Sequence, residues 1–176
     1  GTVHQGAFHE SLNLAKLWHL PVIYMIENNR YGMGTPMERA SAVWDLSEKA
    51  CSYDMARATV DGMDVLAVHD TVAEAVVRAT RDGEPTLIEA RTYRFRGHSM
   101  SDPVHSHYRT KEEVEEQKKL DPILIFQQKL LDDKVLTAEK IKEYEDEIKK
   151  IVLDAVDFAE KSPLPAMEEL YTEIYS

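Results

Sequence analysis

The apolar run Val22-Ile23-Tyr24-Met25-Ile26, closed by Glu27-Asn28-Asn29 and then by Tyr31-Gly32-Met33-Gly34, constrains the fold more than any other stretch of the chain. Consecutive apolar residues without polar alternation read as a strand buried on both faces, the pattern of a parallel sheet covered by helices. Amides at the end of such a strand face the crevice beyond the carboxyl ends of the strands, where open α/β sheets bind ligands. There Asn side chains can offer carbonyl oxygens to a hard cation, and glycines let the backbone approach closely. Taken alone, an Asn-Asn pair after a strand is also the composition of an ordinary turn.

The rest of the chain alternates in the same sense. Residues 37–58 read as loop and short helix, and Thr59-Val60-Asp61-Gly62 as a short strand and turn. Asp64 can cap a helix carrying Val65, Val68, Val72, Ala75, Val76 and Ala79 that stops at Gly83. Residues 86–93, following the break at Glu84-Pro85, read as a second long strand. Strands separated by helices imply right-handed crossovers and a parallel sheet. The expected fold class is therefore α/β, half of a doubly wound domain over residues 1–110, followed by a helical C-terminal section over residues 111–176. In that section Asp121-Pro122 starts one helix and Thr137 caps another, which ends before Ser162-Pro163. Its Glu and Lys residues read as a solvated face.

A formal charge of -11 without a basic block argues against nucleic acid and against anionic membranes, both of which attract clustered Lys and Arg. The one cysteine, Cys51, has no internal disulfide partner and reads as a small buried hydrophobe in a reducing compartment. No apolar run reaches the ~18 residues of a membrane span, so an intracellular, soluble protein is expected. His98, His105, His107 and Asp102 share a polar loop, but their spacing matches no closed zinc pattern. No Gly-x-Gly-x-x-Gly or phosphate-loop string is present, which disfavours a generic nucleotide-binding domain.

Two strings carry a more specific signal. Gly1-Thr2-Val3-His4-Gln5-Gly6, a helix, a strand and Asn28-Asn29 resemble the thiamine diphosphate fingerprint, Gly-Asp-Gly followed some two dozen residues later by Asn-Asn, with Gly1 as its last glycine. The string Thr92-Tyr93-Arg94-Phe95-Arg96-Gly97-His98-Ser99-Met100-Ser101-Asp102-Pro103, with Tyr108-Arg109-Thr110 after it, is similar to the His-bearing loop of the alpha subunits of the thiamine diphosphate-dependent 2-oxoacid dehydrogenases. The two strings fall in the order and separation that those subunits show, and the resemblance covers the C-terminal half of a typical subunit. The aspartate of the fingerprint lies outside this sequence.

The resemblance implies thiamine diphosphate and Mg²⁺ as cofactors. Asn29 corresponds to the side-chain metal ligand and Tyr31 to the residue whose backbone carbonyl is a second. Gly1 and Thr2 correspond to the backbone that approaches the diphosphate, and His98 to the active-site histidine, which contacts the diphosphate near the substrate channel. Ser99 matches a regulatory phosphorylation position of mitochondrial members and Ser106 lies near another. Both are also ordinary serines of a polar loop.

The strings around Asn29 and His98 look more like the pyruvate branch of the family than the branched-chain 2-oxoacid branch, and acetoin dehydrogenase alpha subunits are harder to exclude. The implied reaction is oxidative decarboxylation of pyruvate with acetyl transfer to a lipoyl group on a partner acyltransferase. The implied assembly is a heterotetramer with a beta subunit, in the cytoplasm of a bacterium or the mitochondrial matrix of a eukaryote. An alternative is a non-catalytic piece acting as an interaction module. In either case the isolated chain is expected to leave a sheet edge and apolar faces uncovered and to be inactive alone.

Overall fold

The computed structural model describes residues 2–102 and 109–173. The chain divides into two compact units, Gly1–Phe126 and Gln127–Ser176. The first is built on a parallel sheet of three strands: β1 (Ile23–Asn28), β4 (Ala56–Asp61) and β5 (Thr86–Arg91), in the order β1-β5-β4. Between β1 and β4 lies a small antiparallel hairpin of β2 (Tyr31–Gly32) and β3 (Thr35–Pro36). Helix α1 (Gly6–Leu17) precedes β1, and α2 (Val65–Asp82) connects β4 to β5.

The central strand β5 is buried from Thr86 to Ala90, and its alternation distributes the core between the two faces of the sheet. Leu87 joins Leu12, Ala15, Ile26, Leu46, Ala50 and Met55 on the face covered by α1 and by the 3-10 turn Leu46–Tyr53. Ile88 and Ala90 join Val60 and Ala75 on the face covered by α2. Burying a side chain such as Leu87 or Ile88, both 0% exposed, contributes roughly 1.5–3 kcal/mol each.

Helix α2 forms where its caps direct. Asp64 Oδ1 accepts from the N–H groups of Leu66 and Ala67 at 3.0 and 3.1 Å, and Gly83 ends the helix in the left-handed conformation at φ 65°.

Three expectations are corrected. Strand β1 is not buried on both faces: Tyr24 and Ile26 pack towards α1, but Met25 is 40% exposed and Glu27 is exposed. It is an edge strand, and the α2 core gathers on β4 and β5, reaching β1 only at Ile23. Strand β4 begins at Ala56, before Thr59, because pairing of Ala56 with Thr86 and of Arg57 with Leu87 recruits residues of modest strand propensity. Cys51 is exposed rather than buried.

After residue 110 come α3 (Lys111–Lys118) and α4 (Pro122–Asp132), the latter crossing the boundary between the units. The second unit holds the long α5 (Ala138–Lys161) and a short 3-10 turn, Met167–Tyr171. Thr137 caps α5, and none of its residues is buried. Among the described residues no helix is long and apolar enough to cross a membrane.

Candidate functional site

Because β1 and β5 are parallel neighbours with Asn28 opposite Arg91, the turn after β1 and the loop after β5 leave the sheet at the same level. The Thr92 N–H donates to the Asn28 carbonyl at 2.9 Å and extends the pairing one residue further. The two segments that carried the sequence signals are thereby brought to one end of the sheet.

The turn is shaped by its two asparagines. Asn28 Oδ1 accepts the Arg30 N–H at 3.0 Å and Asn29 Oδ1 accepts the Tyr31 N–H at 3.2 Å, two successive Asx turns. The left-handed conformations fall on Arg30 (φ 69°) and Met33 (φ 56°), not on Gly32 or Gly34. Behind the turn stands Glu89, 0% exposed on β5. Its Oε1 accepts from Asn28 Nδ2 at 2.6 Å and its Oε2 from the Leu46 N–H at 2.8 Å, with Arg91 Nε at 3.5 Å. A buried carboxylate needs such partners, and in exchange it orients the Asn28 amide. Beside it, burial alone would raise the Asp45 carboxyl, but hydrogen bonds from Ser47 and Thr59 hold it below its ordinary value.

The loop after β5 folds on itself. His98 N–H donates to Asp102 Oδ2 at 2.7 Å and Asp102 N–H to the Ser99 carbonyl at 3.1 Å. A Cβ at Gly97 would collide with the Asp102 carbonyl oxygen, so that position takes no side chain. Arg94 Nη2 donates to the Met33 carbonyl at 2.8 Å and joins the loop to the turn. Arg109, 4% exposed, donates to the carbonyls of Arg94 and Arg96 and holds the stretch leading to His98.

A cavity of about 750 Å³ opens between these parts, lined among others by Thr2, Asn29, Tyr31, Met33, Arg94 and His98. Four residues singled out from the sequence, Thr2, Asn29, Tyr31 and His98, therefore share one cavity although they come from three distant segments. Ser99 lies on the same loop, exposed, with its Oγ 2.9 Å from Ser101 Oγ. Gly1 and Ser106 lie outside the described residues, as do His105 and His107. Among the described residues no group of three or more His, Cys, Asp or Glu is placed to hold a metal ion.

Sequence reasoning assigned no role to Glu89, Arg94, Arg109 or Glu113. For Glu89 a signal was available, since a charge inside the run Leu87-Ile88-Glu89-Ala90 must find partners when buried.

The family model described as Dehydrogenase E1 component matches residues 1–168. The pyruvate dehydrogenase E1 component subunit alpha of Rickettsia conorii is 45% identical over 175 residues, covering 99% of this chain and 53% of the relative. That of Rhizobium meliloti is also 45% identical, with 99% and 50% covered. The somatic mitochondrial form of the same subunit from Homo sapiens is 42% identical, with 100% and 45% covered. The chain thus spans about half the length of the curated relatives it matches. With the family match running over nearly its whole length, the chain belongs to the dehydrogenase E1 component family.

Proposed function

We propose that this chain is part of the alpha subunit of a pyruvate dehydrogenase, acting in the thiamine diphosphate-dependent oxidative decarboxylation of pyruvate with acetyl transfer to a lipoyl group. The observation that carries this reading is the convergence of Thr2, Asn29, Tyr31 and His98 on one cavity of about 750 Å³, within the usual range for a cofactor-sized ligand. The names of the three relatives reported above, each a pyruvate dehydrogenase alpha subunit, favour pyruvate over acetoin and branched-chain 2-oxoacids.

The donor set fits Mg²⁺, which takes oxygen ligands in a near-octahedral arrangement and keeps several from water and phosphate. Asn29 Oδ1 accepts one hydrogen bond and retains a lone pair, and the Tyr31 carbonyl lies on the same turn. The remaining ligands would come from diphosphate, water and groups outside this sequence. Thr2 sits in the short 3-10 turn ahead of α1, where backbone N–H groups suit an anion. His98, presented by a glycine-permitted loop, would donate to a diphosphate oxygen or hold a proton near the substrate. When bound, thiamine diphosphate supplies the electron sink for decarboxylation; the chain's residues bind and orient it. Phosphorylation of Ser99 would place negative charge beside this anion site and oppose binding.

A beta subunit and a lipoyl-bearing dihydrolipoyl acyltransferase are the proposed partners, in the bacterial cytoplasm or the mitochondrial matrix. The edge strand β1 and the exposed apolar residues of α5 offer surfaces that further polypeptide, from the same subunit or from a partner, could cover. The test is calorimetric binding of thiamine diphosphate with Mg²⁺ to the complete alpha subunit assembled with its partner. The native complex should bind, Asn29→Ala should weaken binding on the order of 10–100-fold, and the 176-residue chain alone should bind weakly. Absence of Mg²⁺-dependent binding by the native complex would overturn the reading.

A further inference from the structure

We propose that Glu113, on the first turn of α3, is a positioning residue that sets the distance between the two arms of the site, the turn after β1 and the loop after β5. Its Oε1 accepts the Tyr93 hydroxyl at 2.9 Å and stands 3.4 Å from the Tyr31 hydroxyl. Tyr31 belongs to the turn that carries Asn29, and Tyr93 is the last buried residue before the loop that carries His98. One carboxylate oxygen is thus shared by both arms. The inference rests on the reading of the cavity as a cofactor site.

The local structure explains why Glu113 can serve this purpose. Thr110 Oγ1 accepts the Glu113 N–H at 3.1 Å and starts α3, which fixes the direction of the Glu113 side chain. Thr110-x-x-Glu113 has the spacing of a capping box, but Oε1 here faces the two tyrosines. One residue before Thr110, Arg109 grips the carbonyls of Arg94 and Arg96, and its guanidinium lies 5.9 Å from the centre of the Tyr93 ring. Residues 109–113 therefore hold both ends of the assembly: backbone through Arg109 and side chains through Glu113. Burial, then the Glu113 carboxylate, push the Tyr93 hydroxyl up to about 12 and raise that of Tyr31, so both remain donors throughout the neutral range. A displacement of about 1 Å between Asn29 and His98 would matter to any ligand spanning them, since positioning errors of that size carry large penalties.

The experiment is hydrogen–deuterium exchange read by mass spectrometry on the complete subunit complex without added cofactor. Peptides covering residues 28–37, 92–102 and 56–61 are followed in Glu113→Ala, Glu113→Gln, Tyr31→Phe and Tyr93→Phe. In Glu113→Ala the first two peptides should exchange about fivefold faster while 56–61 is unchanged, and Glu113→Gln, which keeps an acceptor, should restore most of the protection. Tyr31→Phe should loosen only 28–37 and Tyr93→Phe only 92–102, which keeps the idea testable if Glu113→Ala fails to fold. Unchanged exchange in both arms, or acceleration spread equally over 56–61, overturns the proposal. Calorimetry with thiamine diphosphate and Mg²⁺ on the same proteins separates the two readings: a native complex that does not bind removes the cofactor assignment, while the exchange pattern still decides the role of Glu113.

Discussion

The two units of this chain are stabilised in opposite ways. In Gly1–Phe126, β5 is buried on both faces from Thr86 to Ala90, and its buried Glu89 is tied to Asn28 and Leu46. In Gln127–Ser176, α5 has a well-formed cap and surface ion pairs such as Lys140–Glu143 at 2.8 Å and Lys161–Asp157 at 2.7 Å, yet buries no residue. Tyr144, Ile148, Ile151, Val152 and Phe158 form an apolar set that remains exposed. A helix can be fully specified by local chemistry, whereas the sheet exists only through contacts distant in sequence.

Core truncation should separate the units most sharply. Leu87→Ala, which removes a side chain 0% exposed, should cost about 2–5 kcal/mol in denaturant unfolding, whereas Ile151→Ala, at 59% exposed, should change stability by less than about 0.5 kcal/mol. Equal effects would break the contrast. Glu89→Ala comes next, at about 1–3 kcal/mol, because it leaves the Asn28 amide and the Leu46 N–H buried without their acceptor. Loss of protection at the Asn28–Tyr31 turn should accompany it in hydrogen exchange.

Thr137→Ala should cost about 1 kcal/mol of helix stability, detectable as reduced helical signal with the sheet unaffected. The smallest effect concerns pH. Asp45 is held below its ordinary value, against the opposing effect of burial, by hydrogen bonds from Ser47 and Thr59. A lowered carboxyl contributes stability that is present above its ordinary value of 3.8 and is lost as pH falls through the folded value. Asp45→Asn should therefore lower stability modestly at neutral pH and flatten the acid limb of the stability profile below about pH 4, where the native protein loses the same contribution. An acid limb identical to that of the native protein would show that Asp45 is not a source of the dependence.

Much of this was legible in the sequence where the cause is local. Asp64 and Gly83 announced both ends of α2, and Thr137 announced α5, since caps act on their own neighbours. The grouping of Asn29, Tyr31 and His98 was legible only through resemblance to a family, because no periodicity connects residue 29 to residue 98. The exposure of Met25 was not legible: an apolar run reads the same in a central and an edge strand, and strand order decides which faces are covered. Glu113 was hidden because a Thr-x-x-Glu spacing has a sufficient local explanation as a helix start.

The parallel pairing of β1 with β5 also dictates an order of events during folding. Ala56 and Thr86 are joined through one helix, whereas Ile23 must find the same Thr86 across roughly twice that length of chain. Closing the longer loop costs more entropy, so β4, α2 and β5 should form a nucleus onto which β1 docks late. Pulse-labelled amides of β4 should then gain protection before those of β1. A chain still emerging or partly unfolded would possess the loop of His98 and the turn of Asn29 as separate pieces, and only the last strand to dock would make them a site.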